Sequence, residues 1–225
     1  ILSRQKTDAE IDILSCTQIT ECFDALEQGN ADAVYVDSIV AGYYLSGENT
    51  DFKQTWTSGE IEPIGVCLKK GNDELTDIVN TAIDVLYMNG TMAELSEKHF
   101  GSVENVDGLR IFDGEPTLDL SALKTIEDGK LRVGMMTGYP PMEYTGASGE
   151  LTGFDVELAY AIGELLGLEV ELVSTAWDGI FTGLDNEEYD VIISSVSITD
   201  EREESYNFTE PYVSNALCIV VHEDK

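Results

Sequence analysis

Basic residues are scarce in this chain of 225 residues, which has 12 lysines and arginines against 44 aspartates and glutamates. The formal net charge of −32 at pH 7 repels phosphate backbones and anionic membrane surfaces. We therefore expect no nucleic acid among its partners. The carboxylates are scattered rather than grouped at ligand spacing, which favours a solvated acidic surface over a metal site.

Histidine and cysteine are also few, with two histidines and four cysteines. No CxxC pair occurs and no cysteine has a close histidine, so neither a zinc site nor any cofactor is predicted. Cys67 and Cys218 lie in apolar runs that indicate buried free thiols. Cys16 and Cys22 could approach each other, and the sequence leaves open whether they bond. No GxSxG elbow accompanies a histidine, so triad hydrolysis has little support.

Long hydrophobic runs are absent. The longest, "ALCIVV" (216 to 221) and "VIISSV" (191 to 196), fall far short of the roughly 20 residues that cross a bilayer. No transmembrane helix is predicted. The segment "ILSRQKTDAE" shows no signal peptide, although a trimmed chain would lack one in any case, so the compartment stays open at this point.

What the chain does have is alternation of strand and helix patterns. This alternation predicts an α/β fold with mostly parallel sheets, whose ligands bind at the carboxyl ends of strands. A weaker pattern over residues 102–129 marks the best linker candidate and contains one short predicted helix. The predicted strands cover 10–16, 31–37, 63–71, 131–136, 169–175 and 189–197, and the main helices cover 18–29, 38–47, 73–90, 91–101, 154–167 and 177–188.

The segment "SSVSITDERE" (194 to 203) is a candidate anion site. Ser195 and Ser197 follow an apolar strand, Thr199 is a helix-capping candidate, and Arg202 falls in the next helical turn. Hydroxyls, backbone N–H groups and a guanidinium fork suit a small carboxylate. The alternative is that Arg202 merely pairs with one of the many nearby carboxylates.

Three further residues are candidates for ligand contacts. Asp37 ends an apolar strand and could meet an ammonium group, or it could simply cap the following helix. Tyr139 lies in a loop fixed by two prolines, and Trp177 begins a helix after a strand. Either ring could pack over a ligand or belong to the core.

Five segments together resemble the extracellular solute-binding proteins for polar amino acids, the family 3 receptors of ABC importers. They are "KLRVGMMTGYPPMEY", "GELTGFDVELAYAIGELLG", "WDGIFTGLDNEEYDVIISSVSITDEREESYNFTEPYV", "ALEQGNADAVYVD" and "LKKGNDELTDIVNTAIDVLYMNGTMAELSEKHFG". The resemblance implies a type II periplasmic-binding-protein fold, an α/β fold of two lobes joined by hinge strands that closes on an amino acid.

The resemblance also implies roles for the candidate residues. Arg202 would grip the ligand's α-carboxylate, helped by Ser195 and Ser197, and Asp37 would take the α-amino group from the other lobe. The rings that match the family's sandwich around the ligand side chain are Tyr139 and Trp177. No catalytic or metal-binding residue is expected.

Two departures from the family pattern stand out. An acidic residue often follows the first strand in receptors for basic amino acids, whereas Met136 stands here, which disfavours lysine, arginine and ornithine. The usual first strand begins near residue 130, after the family's final helices, so the order is circularly permuted. Lobe one would comprise 64–212, with 102–129 bridging the usual ends, and lobe two 1–62 and 214–225. Hinge strands are expected near 62–66 and 211–215.

A loop that supplies lobe-two contacts in the family is absent between Lys225 and Ile1. Either the chain is a piece of a tandem array, or the segment exists outside the sequence given. If the loop is truly missing, we expect weak binding or a domain-swapped dimer through a free sheet edge.

The function implied is capture of an amino acid for an ABC-type importer, with the transporter permease as partner and no enzymatic activity. One alternative is the sensory domain of a receptor kinase or cyclase, with the chain's own membrane-bound signalling domain as partner. A weaker alternative is a cyclohexadienyl-dehydratase-like enzyme, whose acid candidates Glu143 and His99 have no supporting motif. The location implied is extracellular or periplasmic, anchored through a lipid or a transmembrane segment outside this chain.

Overall fold

The computed structural model describes residues 11–46 and 51–223. These residues contain seven helices, most of which bury apolar side chains at helical spacing. In the longest of them, Leu75, Ile78, Val79, Ala82 and Ile83 are buried on one face. The helices are α1 (Ile19–Glu27), α2 (Ser38–Leu45), α3 (Asp73–Met88), α4 (Thr91–Phe100), α5 (Phe154–Leu166), α6 (Trp177–Asp185) and α7 (Asp200–Ser205).

The strands of the described residues are short and fall into four sheets. They are β1 (Val34–Asp37), β2 (Phe52–Thr57), β3 (Glu62–Ile64), β4 (Cys67–Lys69), β5 (Lys130–Met135), β6 (Tyr144–Thr145), β7 (Leu151–Thr152), β8 (Glu169–Ser174), β9 (Val191–Ile192), β10 (Tyr206–Phe208), β11 (Val213–Asn215) and β12 (Leu217–His222).

The largest sheet has the order β10-β4-β9-β5-β8. Only the β5–β8 and β5–β9 pairs are parallel, and β4 is antiparallel to both of its neighbours. A second sheet, β1-β12-β2, is antiparallel throughout. The expectation of mostly parallel sheets is therefore wrong, because β12 lies between two strands that run opposite to it and β4 enters the large sheet from the opposite end. The fold is α/β with mixed sheets.

The segments predicted as hinge strands pair with each other. In the β3–β11 ladder Ile64 faces Val213 and Glu62 faces Asn215, so two polar side chains share one end of it. Along the chain, β3 leads into β4 of the five-stranded sheet and β11 leads into β12 of the three-stranded sheet, so the ladder connects to both. Their role as a hinge remains a prediction.

Buried apolar side chains form one large cluster and two smaller ones. The large cluster packs α3, α4 and α5 against β4, β5 and β9. A second cluster packs α1 and α2 against β1 and β12, and a third gathers around Tyr189. Cys67 and Cys218 are fully buried, as expected, and all four cysteines are free thiols. Among the described residues no helix combines the length and apolar character needed to span a bilayer.

Two local predictions are wrong, and one strand was not predicted. Of the predicted strand 10–16, the described residues 11–16 form no strand: Ile11, Ile13 and Leu14 are exposed, and no strand of the described residues pairs with them. Residues 119–129 form turns rather than a helix, since the Asp119 carboxylate accepts the Ser121 N–H two residues on. The edge strand β2 lies outside the predicted strands.

Candidate functional site

Arg202 is positioned by the start of α7. Thr199 is the N-cap residue of this helix, and its hydroxyl accepts the Arg202 N–H at 3.3 Å, which confirms the predicted cap. The guanidinium reaches back to the chain before the helix, where Nη1 donates to the Ser197 carbonyl at 2.8 Å. The fork is thus oriented by the same segment that carries the two candidate serines.

Two aromatic rings flank this guanidinium. The Arg202 Cζ lies 5.6 Å from the Trp177 ring centre and 5.3 Å from that of Phe181, within cation–π range. Within the part of the chain that the structure describes, no carboxylate forms an ion pair with Arg202. The structure therefore does not show the alternative that Arg202 pairs with a nearby carboxylate. The other N–H groups of its guanidinium have no anionic partner among the described residues.

Asp37 stands at the N-cap position of α2 without capping it through its side chain. Instead its Oδ2 accepts the Tyr139 hydroxyl at 2.6 Å. Burial raises the pKa of Asp37 to about 6, against the lowering effect of the Tyr139 hydrogen bond. Two predicted site residues from distant parts of the chain are therefore in direct contact.

Glu62 and Asn215 join this site, and the sequence reasoning missed both. The Ser197 hydroxyl donates to Glu62 Oε1 at 2.8 Å, and Asn215 Nδ2 donates to Glu62 Oε2 at 3.0 Å. Both also lie close enough to Asp37 to act on its pKa, which the Glu62 charge raises and the Asn215 side chain lowers. The sequence feature that could have identified them is their position, since each is a polar residue at the end of a segment predicted as a hinge strand.

A chain of polar contacts thus links most of the predicted residues. It runs from Trp177 and Arg202 through Ser197 and Glu62 to Asp37 and on to Tyr139. It brings one unpaired guanidinium together with two carboxyl groups, all partly buried. Such a surface can bind a small molecule that carries both an anionic and a cationic group.

Ser195 is placed differently. Its backbone has a positive φ of 48°, and both its N–H and its hydroxyl are directed at Asp155 Oδ2, at 2.7 and 3.2 Å. Asp155 is fully buried. Ser195 therefore anchors the loop before Arg202 to the interior, and its predicted contact with a ligand has no support in this geometry.

Replacing Thr199 by alanine should loosen the start of α7. We expect a loss of about 1 kcal/mol in the free energy of unfolding, the usual cost of removing an N-cap hydroxyl. Urea denaturation of Thr199→Ala and of a Thr199→Ser control measures it. The serine variant keeps the acceptor and should match the parent chain, and equal stability of all three would contradict the cap.

Comparison with known proteins identifies the family of this chain. The family model "Bacterial extracellular solute-binding proteins, family 3" matches residues 131–225, which include Tyr139, Trp177 and Arg202. The arginine-bound form of domain 1 from TmArgBP is 34% identical, and the match covers 43% of this chain and 82% of that chain with a TM-score of 0.37. The chain belongs to the family 3 extracellular solute-binding proteins.

Curated relatives of this solute-binding chain are named as amino-acid-binding proteins. The L-cystine-binding protein TcyJ of Escherichia coli strain K12 is 42% identical over 98 residues, 44% of this chain and 37% of that protein. The ABC transporter arginine-binding protein 1 of the same strain is 35% identical over 95 residues, 42% of this chain and 39% of that protein. This solute-binding chain thus matches less than half the length of these relatives, which are binding proteins by name.

Proposed function

We propose that this chain binds a free amino acid and hands it to an ABC-type importer. Arg202 takes the α-carboxylate, and Asp37 takes the α-ammonium group. Tyr139 and Trp177 contact the remainder of the ligand, and Ser197 holds the Arg202 fork in place. Ser195 contributes indirectly, because its contacts with Asp155 fix the loop that leads to Arg202.

The observation that carries this proposal is the Arg202 guanidinium, which two rings flank and no described carboxylate neutralises. A partly buried cation without a partner is costly unless a ligand supplies the anion. The two charged groups of an amino acid lie about 3 Å apart, so a zwitterion can pair with both Arg202 and Asp37.

The order of the lobes is part of the proposal. We infer that residues 64–212 form lobe one, and that residues 1–62 and 214–225 belong to lobe two. Two observations support a permuted order: β4, from the first third of the chain, lies between β9 and β10 of the last third, and the β1–β12 pair joins the two ends of the described chain. The β3–β11 ladder is then the hinge on which closure turns.

The importer, the location and the ligand side chain follow from the relatives and the site. The family is extracellular by its description, and one relative is an ABC transporter component by name. We propose an extracytoplasmic location with a transporter permease as partner. Glu62 stands beside Asp37, so Met136 alone does not decide against a cationic side chain, and both neutral and cationic amino acids belong in the test.

A thermal-shift screen tests the proposal. The chain is heated with each of the twenty amino acids and with cystine, at concentrations up to about 1 mM. A ligand that binds only the folded chain raises the melting temperature by mass action, by the equivalent of about 2.7 kcal/mol at a hundredfold excess over Kd. A concentration-dependent rise with at least one amino acid is expected, and no rise with any of them would overturn the proposal.

A further inference from the structure

Two fully buried carboxyl groups, Glu143 and Asp155, lie close together. The Asp155 N–H donates to the carbonyl of Met142, the residue before Glu143, at 2.9 Å, and the neighbouring residues Ser194 and Ser195 each donate to one of the two carboxyl groups. Glu143 belongs to the loop that carries Tyr139, and Asp155 lies in the first turn of α5. In the described ranges no lysine, arginine or histidine pairs with either one. Two adjacent buried carboxylates without a cation repel each other strongly, so one of them must carry a proton.

Hydrogen-bond donors identify Asp155 as the ionised member. Its Oδ1 accepts the Tyr212 hydroxyl at 2.8 Å, and its Oδ2 accepts the Ser195 N–H at 2.7 Å and the Ser195 hydroxyl at 3.2 Å. Three donors, together with the N-terminal turn of a helix, stabilise a negative charge. Burial raises the pKa of Asp155 to about 6 despite these bonds, which leaves it mainly ionised at neutral pH.

Glu143 has the contacts of a protonated acid. Its Oε1 accepts the Ser194 hydroxyl at 2.7 Å, and that hydroxyl itself accepts the Met136 N–H at 3.0 Å. Among the described residues its buried Oε2 has no N–H or O–H donor, and the neighbouring charge that acts most strongly on this carboxyl group is that of Asp155. An acceptor that faces only another acceptor becomes a hydrogen bond when one of them holds a proton.

We propose that Glu143 carries a proton on Oε2 at neutral pH and donates it to Asp155, so that this carboxyl–carboxylate pair positions the ligand-binding loops. The Glu143 carbonyl accepts the N–H groups of Gly138 and Tyr139, at 3.0 and 2.7 Å, and Asp155 holds Ser195. The shared proton therefore ties the Tyr139 loop to the loop that leads to Arg202. Both are positioning residues, and this positioning role rests on the proposed function.

The electrostatics agree with this assignment. Burial and the neighbouring Asp155 charge raise the pKa of Glu143 well above its usual value. The other ionisable groups that face the pair are Tyr212 and, toward the site, Asp37 and Tyr139. Burial raises the pKa of both tyrosines well above the usual value, so they stay neutral and supply no counter-charge.

Infrared spectroscopy of the whole chain tests the protonation state without any ligand. In D₂O at about pH 7.5, the parent chain should show the carbonyl band of a protonated carboxylic acid. Labelling glutamate with carbon-13 should shift that band, and labelling aspartate should not. Absence of the band, or a shift with aspartate label only, would overturn the proposal, and this outcome does not depend on whether the chain binds an amino acid.

Glu143→Gln supplies a second readout. Glutamine keeps an acceptor for Ser194 and an N–H donor for Asp155, so the variant should fold and lose the infrared band. The parent chain holds a proton that its unfolded form releases, so its unfolding equilibrium constant should rise about tenfold per pH unit between pH 6 and 8 relative to the variant. Parallel pH profiles of the two would contradict the shared proton.

Discussion

Arg202→Ala should weaken amino-acid binding by about 30- to 4000-fold. Truncating one partner of a desolvated, hydrogen-bonded charge pair costs about 2–5 kcal/mol, and each 1.4 kcal/mol is a factor of ten in Kd. The loss arises because the ligand's α-carboxylate would lose its only cationic partner among the described site residues. Isothermal titration with a ligand found in the thermal-shift screen measures the change. The affinity of Arg202→Lys should lie between those of the parent chain and Arg202→Ala, since lysine keeps the charge and loses the planar fork.

Arg132→Ala is the matched control. Arg132 is also a partly buried arginine, but it lies on β5 and its Nε pairs with Glu171 at 3.4 Å, away from Trp177 and Ser197. Binding should be unchanged in this variant. If Arg202→Ala kept the affinity of the parent chain, the α-carboxylate would have to bind elsewhere.

Affinity should fall as the pH drops below about 6, by up to tenfold per pH unit. The pKa of Asp37 is raised to about 6 by burial, so the side chain is mainly ionised at pH 7.5 and mainly protonated at pH 5. An ammonium group binds the ionised form, and binding at pH 5 must therefore expel a proton. The charges of a neutral amino acid do not change over this range. Titrations at pH 5, 6, 7 and 8 measure the slope.

Two variants assign that slope to Asp37. Asp37→Asn should bind weakly, with a loss of about 2–5 kcal/mol, and its affinity should vary less with pH than that of the parent chain. The buried Asp155, whose pKa is also raised to about 6, accounts for any slope that remains. Glu62→Gln should keep the pH dependence and shift it to lower pH, because the Glu62 charge contributes to the raised pKa of Asp37. The nearby tyrosine and cysteine do not titrate here, since burial raises the pKa of Tyr139 well above its usual value and that of Cys218 to about 11. A flat profile for the parent chain would contradict the assignment.

Sequence periodicity predicted the long elements well. α3, α5 and β8 have strong apolar patterns, and the structure places them within a residue or two of the predicted bounds. Residues 11–16 show how the same reasoning fails: the alternation of Ile11 and Ile13 is typical of a strand, yet a strand also needs a partner with free backbone groups. The sequence does not show which strands are neighbours, and β2 was missed for the same reason.

The candidate site was partly predictable. Arg202, Asp37 and Trp177 stand at strand or helix ends and Tyr139 in a loop fixed by prolines, which made them candidates. The structure brings them together in two contacting pairs, Arg202 with Trp177 and Asp37 with Tyr139. Glu62 was not predictable by this route, because one glutamate among 44 acidic residues carries no signal until β3 and β11 pair. The contact of the Ser195 hydroxyl with Asp155 was not predictable either, since it depends on the positive φ of that residue, and a role of Ser195 in ligand binding stays a prediction.

A titration with blocked ligands tests the central claim most directly. The best ligand from the screen is compared with its α-carboxamide and its α-N-acetyl derivative, which remove one charge each and leave the side chain intact. If Arg202 and Asp37 bind the two charges, each derivative should lose at least about tenfold in affinity, and the carboxamide should lose nothing further in Arg202→Ala. Binding of either derivative with the affinity of the free amino acid would contradict recognition of the zwitterion.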